Sequence, residues 1–180
     1  MASWQKVARR IRVPLGFIFA AAYLWLAHPV AWSLAGGSCV AAAGLVIRAI
    51  ASGHVRKNEQ LTITGPYAYT RNPLYLGSLV IALGFVIASR SWIVTAIAIA
   101  LFFAIYVPVI RGEEEFLRDR FPEFVEYARQ VPRLRPRLTA YGDSRGSFDQ
   151  HLYSKHREYN AAIGAVCMMA ALIVKILLHW

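Results

Sequence analysis

The chain has 180 residues, 57% of them hydrophobic, and its mean hydropathy is +0.42. This composition excludes an ordinary soluble domain, and the length predicts a single membrane domain over residues 1–180. The formal net charge is +10, which we interpret as a membrane-topology signal with some attraction to anionic lipid. We therefore expect the membrane, and no nucleic acid, among the partners of this chain.

Five apolar stretches follow one another along the sequence. They predict an all-α, polytopic membrane protein with about five transmembrane helices. A helix that spans the hydrocarbon core needs roughly 20 residues, so the first and third stretches are short unless flanking residues extend them. We predict that the third and fourth form a tight hairpin that turns at residues 89–91. The stretches cover about residues 13–27, 30–51, 74–89, 91–110 and 160–178.

Basic residues are distributed unevenly between the two predicted sides of the membrane. If the N-terminus, residues 52–73 and residues 111–159 share one side, 18 of the 20 Lys and Arg lie there or at its border. Only Arg90 and Lys175 lie near the other side. The positive-inside rule makes the basic side cytoplasmic. We therefore predict an integral protein of a bacterial-type inner membrane or an ER-like membrane, with its N-terminus and active site cytoplasmic. Arg48, inside the second stretch, needs either a partner or a route to the surface, and we favour the interpretation that it snorkels to the surface.

The strip formed by residues 65–77 combines prolines, glycines, tyrosines and a cation just before the third apolar stretch. Asn72 is a good helix N-cap and Pro73 suits the first helical position, so we predict that a membrane helix begins here. A helix N-terminus offers unpaired N–H groups to an anion, and Arg71 stands beside it. The strip therefore predicts a site for a polar, partly aromatic ligand. The alternative is a loop whose tyrosines form an interfacial aromatic belt.

A polar region follows the fourth apolar stretch and begins with three adjacent glutamates, residues 113–115. Adjacent carboxylates repel one another, and negative charge is unfavourable at a helix C-terminus. One interpretation is that Gly112 ends the membrane helix and the acids begin a new one, which runs to about residue 129 with an interruption at Pro122. The other is that one or two carboxylates turn inward to bind a cationic or hydroxyl-bearing ligand. The sequence leaves both open.

The remaining polar sequence predicts irregular structure. Residues 131–137, here called the strap, contain two prolines and three arginines, which predicts an extended basic segment near the headgroups. Residues 139–150 are rich in turn formers and predict a loop, after which the last helix begins near Asn160. No histidine or cysteine has metal-ligand spacing, so we predict no metal site.

These segments together resemble the signatures of integral-membrane methyltransferases, the group that includes isoprenylcysteine carboxyl methyltransferases and phospholipid N-methyltransferases. The strip, with Gly84, is similar to the first signature, G-x-Y-x-x-x-R-[HN]-P-x-Y-x-G. The resemblance covers about residues 40–138, the methyltransferase-like core. The second signature, E-E-x-x-L-x-x-x-F, its following aromatic pair and the closing V-P-x-x-x-P match Glu113, Glu114, Leu117, Phe121, Phe124, Tyr127, Val131, Pro132 and Pro136.

The resemblance implies a cytoplasm-facing site for S-adenosylmethionine between the two signatures. It implies that Arg71 and the helix N-terminus hold the cofactor's carboxylate, while Glu113 or Glu114 accepts hydrogen bonds from its amino group or ribose. The implied reaction is methyl transfer to a lipophilic acceptor, either a carboxylate or an amine. The implied catalytic residues are Arg71, Glu113 and Glu114. The implied cofactor-binding residues are Tyr67, Arg71, Asn72, Pro73, Tyr75, Gly77, Glu113, Glu114, Tyr127 and Pro132.

The chain departs from the family pattern at three positions. Asn72 replaces a common histidine, Pro122 replaces a glycine, and Phe124 lacks the hydroxyl of the first tyrosine in the aromatic pair. Residues 139–180, a loop and an additional C-terminal helix, lie outside the resemblance. Two alternatives therefore stay open: an NADPH-dependent membrane sterol or steroid reductase, whose strip is similar, and a non-catalytic membrane scaffold or lipid-binding protein. The acceptor and the oligomeric state stay open as well.

Overall fold

A computed structural model describes residues 3–56, 59–142 and 146–178, and these ranges contain helices and no β-strand. A short 3-10 helix spans Gly65–Ala68, and a π-helical turn spans Phe102–Tyr106. The all-α prediction is confirmed. The α-helices are α1 Ser3–Leu26, α2 Ala31–Ser52, α3 Pro73–Ser89, α4 Trp92–Leu101, α5 Val107–Arg120, α6 Phe124–Gln130, α7 Gln150–Lys155 and α8 Tyr159–Leu177.

Three of the helical segments are long and apolar enough to cross a membrane: Ala31–Ser52, Trp92–Arg120 and Tyr159–Leu177. Two further apolar helices, Val13–Leu26 and Pro73–Ser89, are shorter. All five lie where the sequence predicts apolar helices, and the two short ones are the stretches predicted to be short. The chain is a polytopic integral membrane protein.

The hairpin between α3 and α4 is confirmed. Helix α3 begins at Pro73, directly after Asn72, and ends at Ser89. Arg90 turns the chain with a φ of +50°, and the Ser91 side chain accepts a hydrogen bond from the Val94 N–H to cap α4. The two helices are thus joined by only two residues, Arg90 and Ser91.

The interpretation that Gly112 ends a membrane helix is wrong. Helix α5 continues through Gly112 and the three glutamates to Arg120. Gly112 is buried, and a Cβ added there would lie 3.5 Å from the Gln5 side chain. Arg118 and Arg120 occupy the last turn of α5, so cations rather than carboxylates meet the negative end of the helix dipole. The predicted interruption at Pro122 is confirmed, since α6 begins at Phe124.

The predictions for the later segments are also met within the described ranges. The strap contains no helix, residues 139–142 and 146–149 are irregular, and α8 begins at Tyr159. Residues 143–145 of the predicted loop lie outside the described residues. The six-residue helix α7 was not predicted; the Asp149 side chain caps it by accepting hydrogen bonds from two backbone N–H groups.

The chain forms two compact units that alternate along the sequence. The first contains Met1–Ala41, Ala82–Glu115 and Ala165–Trp180, and the second contains Ala42–Ile81 and Phe116–Gly164. Several helices therefore begin in one unit and end in the other. The single membrane domain expected from the chain length stays a prediction.

In the first unit, the core gathers around Tyr23 and Leu172, with Ala27, Ala88 and Val94 buried beside them. The Tyr23 hydroxyl donates to the Phe85 carbonyl at 2.9 Å. Small residues allow α2 and α3 to approach closely here, as small residues commonly do in membrane helix pairs. A Cβ added to Gly84 would lie 2.5 Å from the Gly37 carbonyl oxygen and 2.6 Å from the Ala41 nitrogen.

We expect Gly84→Ala to lower the free energy of unfolding by about 1–3 kcal/mol, because the new methyl group meets backbone atoms that cannot move aside. Gly36→Ala is the matched control, since nothing lies within 4 Å of its added Cβ and alanine favours helix over glycine. Reversible unfolding in mixed detergent micelles measures both variants. Equal stabilities for the two would contradict the close approach of α2 and α3.

In the second unit, Arg48 has a charged partner, which is the less favoured of the two explanations that the sequence offered for this residue. Its guanidinium forms an ion pair with Glu158 at 2.7 Å and also donates to the Leu74 carbonyl at 3.3 Å and to the Ser78 hydroxyl. The Arg48 and Glu158 side chains are only 22% and 11% exposed. Because a charge at membrane depth requires compensation, this pair explains how Arg48 is tolerated inside α2.

Candidate functional site

The strip begins with a turn that only glycine fits well. Gly65 has a φ of +57°, and a Cβ there would lie 2.4 Å from the His54 ring. The 3-10 helix follows, with Pro66 in its first turn, and the Tyr69 and Thr70 N–H groups both donate to the Pro66 carbonyl at 3.2 Å. This compact turn directs the chain toward the start of α3.

The strap runs beside the strip and is hydrogen-bonded to it. Backbone N–H groups donate in both directions: from Arg71 to the Pro132 carbonyl and from Arg137 to the Tyr69 carbonyl, each at 2.9 Å. Two side chains of the strip also bind the strap: the Thr70 hydroxyl at 3.1 Å and the Asn72 amide at 3.2 Å both donate to the Arg133 carbonyl. The strap therefore fixes the residues immediately before α3.

An aromatic cluster supports the strip. Phe124, Tyr127 and Val131 are at most 2% exposed, and their rings and methyl groups pack together. The Tyr127 hydroxyl donates to the Tyr67 carbonyl at 2.7 Å. Phe124 is buried in this cluster, where the family pattern has a tyrosine. A phenylalanine suits such a position because its ring has no hydroxyl group that would need a hydrogen-bond partner. The partly buried residues around the cluster are Leu61, Ile63, Leu117, Phe121, Ala128 and Tyr141.

We expect Tyr127→Phe to lower the free energy of unfolding by about 1–2 kcal/mol, because it leaves the buried Tyr67 carbonyl without this donor. Tyr141→Phe is the control. Its ring centroid lies 5.4 Å from that of Tyr127, and its hydroxyl makes no hydrogen bond within the described ranges. Thermal unfolding in detergent compares the two. A loss at Tyr141 as large as that at Tyr127 would contradict the stabilising role assigned to the Tyr127–Tyr67 hydrogen bond.

The second unit contains eight of the residues that the resemblance implies for cofactor binding, and they lie on the strip, α3, α6 and the strap. Arg71, Tyr75 and Pro132 are partly exposed, whereas the others are buried. The Arg71 guanidinium also donates to the Ala128 carbonyl at 3.3 Å. The partly exposed members are those that offer surface to a ligand. The eight residues are Tyr67, Arg71, Asn72, Pro73, Tyr75, Gly77, Tyr127 and Pro132.

Gly77 and Tyr127 have structural roles that the sequence did not indicate. A Cβ on Gly77 would lie 2.8 Å from the Gly44 carbonyl oxygen and 2.6 Å from Arg48 Cγ, so Gly77 permits the close packing of α2 and α3. Tyr127 is 2% exposed and holds the strip through its hydroxyl. Contact of either residue with a cofactor stays a prediction.

The glutamates that the resemblance implies belong to α5 in the first unit. Glu114 is 6% exposed, Glu113 is half-buried, and Glu115 is exposed and accepts a hydrogen bond from the Gln5 amide at 3.1 Å. A helix that continues through all three separates them around its surface, so they meet different surroundings. Glu114 is thus the buried carboxylate of the three. The described residues include no group of three or more His, Cys, Asp or Glu placed to hold a metal ion.

Sequence reasoning missed Thr70 and Arg133. Thr70 is 2% exposed, and its hydroxyl binds the strap carbonyls, which makes it one of the residues that hold Arg71 in place. A buried threonine between two signature positions gives no signal in a single sequence, because its partner is 63 residues away. Arg133 contributes through its carbonyl oxygen, a group that every residue has.

Comparison with known proteins gives one family and two named relatives. The phospholipid methyltransferase family model matches residues 15–123. The cobalt-zinc-cadmium resistance protein CzcN of Cupriavidus metallidurans is 45% identical over 86 residues, which cover 48% of this chain and 40% of that protein. The nickel-cobalt-cadmium resistance protein NccN of Alcaligenes xylosoxydans xylosoxydans is 37% identical over 103 residues, which cover 54% of this chain and 48% of that protein. The chain thus spans less than half the length of these relatives. No solved structure matches.

The family match includes the strip, α3 and the buried Glu114, and it extends over more than half of the chain. The strap and α8 lie beyond it. This protein belongs to the phospholipid methyltransferase family.

Proposed function

We propose that this protein transfers a methyl group from S-adenosylmethionine to a lipophilic acceptor at the cytoplasmic face of the membrane. The observation that carries the proposal is the pairing of the strip with the strap, through which Arg71 and Pro132, distant in sequence, come within hydrogen-bonding distance. This pairing brings together two of the segments that resemble the methyltransferase pattern. Family membership supports methyl transfer over the reductase alternative.

The donor set of the second unit fits the chemistry of the cofactor. Arg71 supplies a partly exposed cation one residue before Asn72, and α3 directs its N-terminal N–H groups and positive dipole end toward the same segment. Both features suit a carboxylate. Tyr75, in the first turn of α3, is partly exposed and offers an aromatic face that suits a sulfonium or a purine.

Glu114 has the environment of a functional carboxylate. It is 6% exposed on α5, and at such a buried position an acceptor of hydrogen bonds from an ammonium or ribose hydroxyl group is well shielded from competing water. Glu113 is half-buried one position earlier and is the alternative acceptor. The proposal assigns hydrogen bonding to the cofactor to one of these two carboxylates.

The bound cofactor supplies an electrophilic methyl group, and the protein's contribution is placement of the nucleophile in a dry site. A carboxylate acceptor is already ionised at neutral pH and needs only orientation and charge balance. An amine acceptor, whose ordinary pKa is about 10, must first lose a proton, and a carboxylate such as Glu113 or Glu114 is a suitable base. We therefore propose both acceptor classes for testing.

Radiolabelled S-adenosylmethionine tests the reaction directly. Detergent-purified protein is incubated with the labelled cofactor and either a prenylated carboxylate or phosphatidylethanolamine, and label is counted in the organic phase. Transfer to one acceptor supports the proposal and identifies the acceptor class.

Calorimetric titration of the same protein with S-adenosylhomocysteine and with NADPH tests cofactor choice. Binding of NADPH but not of S-adenosylhomocysteine would support the reductase alternative. If folded protein binds neither ligand, the non-catalytic scaffold becomes the better explanation.

The names of the two relatives suggest a cellular setting for this activity. Both are named as resistance proteins for metals, with cobalt and cadmium in each name. We propose that this chain also contributes to growth in the presence of such metals. A strain lacking the chain is complemented with wild type or with Arg71→Ala and grown in graded cobalt. Rescue by wild type alone would tie resistance to methyl transfer, whereas rescue by both would indicate a non-catalytic role.

A further inference from the structure

A cavity with two cationic side chains in its lining opens at the end of the first unit that carries the turns between α1 and α2 and between α3 and α4. Its volume is about 400 Å³, which exceeds the space needed by a phosphate group several times over. Nothing in the strip, the strap or α5 contributes to it. Its lining residues are His28, Pro29, Val30, Ala31, Arg90, Lys175 and Ile176.

Two cations of the cavity are held by neighbouring groups of the same unit. The Arg90 guanidinium lies 5.4 Å from the centroid of the Trp32 ring, and among the described residues it makes no ion pair or hydrogen bond. The Lys175 ammonium donates to the carbonyls of Leu24 at 2.6 Å and Trp25 at 3.1 Å. No carboxylate within the described residues pairs with either cation, and a cation–π contact and carbonyl dipoles do not neutralise the two charges.

The backbone adds positive potential to the same place. Helix α2 begins at Ala31, which lines the cavity, so the positive end of its dipole faces the opening. The preceding Val30 N–H is already bound by the Ser33 hydroxyl at 3.1 Å. None of the nine Asp and Glu residues in the described ranges lines the cavity.

Exposed tryptophans place the cavity at the level of the lipid headgroups. Trp25, Trp32 and Trp92 are 81%, 68% and 88% exposed, and all lie at the ends of helices beside the opening. Tryptophan is enriched where the hydrocarbon meets water. Leu177 and Leu178, next to the lining residue Ile176, are exposed and offer apolar surface to an acyl chain. A ligand here meets a cationic pocket together with a hydrocarbon-facing flank.

We propose that this cavity binds the phosphate-bearing headgroup of an anionic phospholipid. Arg90 and Lys175 supply the charge, the N-terminus of α2 supplies positive potential, and the end of α8 contacts an acyl chain. The site is independent of the proposed methyl-transfer function, and it assigns a role to the last helix, which lies beyond the family match. Each Lys or Arg near a membrane surface contributes attraction equivalent to about a fivefold change in lipid affinity.

Native mass spectrometry of the full chain in detergent tests the proposal. Protein is titrated with dioleoyl phosphatidylglycerol, with dioleoyl phosphatidylcholine and with inorganic phosphate as a competitor. We expect preferential retention of phosphatidylglycerol, reduced about fivefold in Arg90→Gln and about 25-fold in Arg90→Gln with Lys175→Gln, if the two charges act independently. Arg90→Lys keeps the charge and is expected to restore most of the retention.

Arg10→Gln is the matched control, since Arg10 is an exposed cation of the same unit near the other end of α1. An equal loss of lipid in Arg10→Gln and Arg90→Gln would overturn the proposal, because it would reflect overall charge. Equal retention of the two lipids would also overturn it. Displacement of phosphatidylglycerol by millimolar inorganic phosphate would overturn the assignment to a lipid and indicate a free phosphate. Should the double variant fail to fold, the comparison of Arg90→Gln with Arg90→Lys decides.

Discussion

Replacing Arg71 by alanine is expected to weaken S-adenosylmethionine binding by about 10- to 100-fold and to reduce methyl transfer at least as strongly. The reason is the loss of a charge-assisted hydrogen bond to the cofactor's carboxylate, an interaction of about 1.5–3 kcal/mol. Calorimetric titration measures affinity, and transfer of labelled methyl groups measures turnover. Arg71→Lys, which keeps the charge but not the planar fork, is expected to recover part of the affinity.

The control for Arg71 is Arg129→Ala. Arg129 belongs to the same compact unit, its side chain is 74% exposed, and its ion pair with Glu126 measures 3.5 Å. We expect this variant to bind and turn over as wild type does. Because Arg71 also donates to the Ala128 carbonyl, thermal unfolding is recorded for each variant. Wild-type affinity in a folded Arg71→Ala protein would contradict the assigned role. Glu114 lies in the first unit, whereas Arg71 lies in the second, so cofactor binding by Glu114→Gln is measured as a separate experiment.

Replacing Glu158 by glutamine is expected to lower the free energy of unfolding by about 3–5 kcal/mol. The substitution leaves Arg48 without its anionic partner at a site where both side chains are mostly buried, and an uncompensated buried charge is costly. The remaining hydrogen bonds from Arg48, to the Leu74 carbonyl and the Ser78 hydroxyl, carry no opposing charge. Reversible unfolding in mixed micelles gives the difference.

Two further variants show whether burial is the cause. Lys155→Ala removes an ion pair of the same unit, the 3.9 Å contact with Glu59, in which both side chains are more than half exposed. We expect a change of less than about 1 kcal/mol there. The double variant Arg48→Met, Glu158→Leu removes both buried charges and is expected to recover most of the stability lost in Glu158→Gln. A double variant as unstable as the single one would contradict this account.

The fold could be predicted largely because its determinants are local. Apolar length determines where membrane helices lie, Asn72-Pro73 defines the start of α3, and Pro122 separates α5 from α6. The exception at Gly112 has a physical reason. A glycine lowers helix stability by only about 1 kcal/mol, which packing of the continuous helix against Gln5 offsets.

For the candidate site, the sequence offers a set of residues as a prediction, and the structure adds the geometry of part of that set. The resemblance named Arg71 and Pro132, and the structure places the Arg71 N–H 2.9 Å from the Pro132 carbonyl. It did not indicate that Tyr127 supports the strip through its hydroxyl, or that Gly77 serves helix packing. Whether these residues also contact a cofactor is the subject of the proposed experiments.

The sequence by itself determined that this is an all-helical membrane protein with a basic polar side, and it located the two methyltransferase-like signatures. Those properties depend on composition, local periodicity and short motifs. Only the tertiary structure decided that Arg48 pairs with Glu158, 110 residues away, and that Arg90 and Lys175 line one cavity. Partners so distant in sequence meet through helix packing, and no local pattern of residues encodes which of many charges will meet.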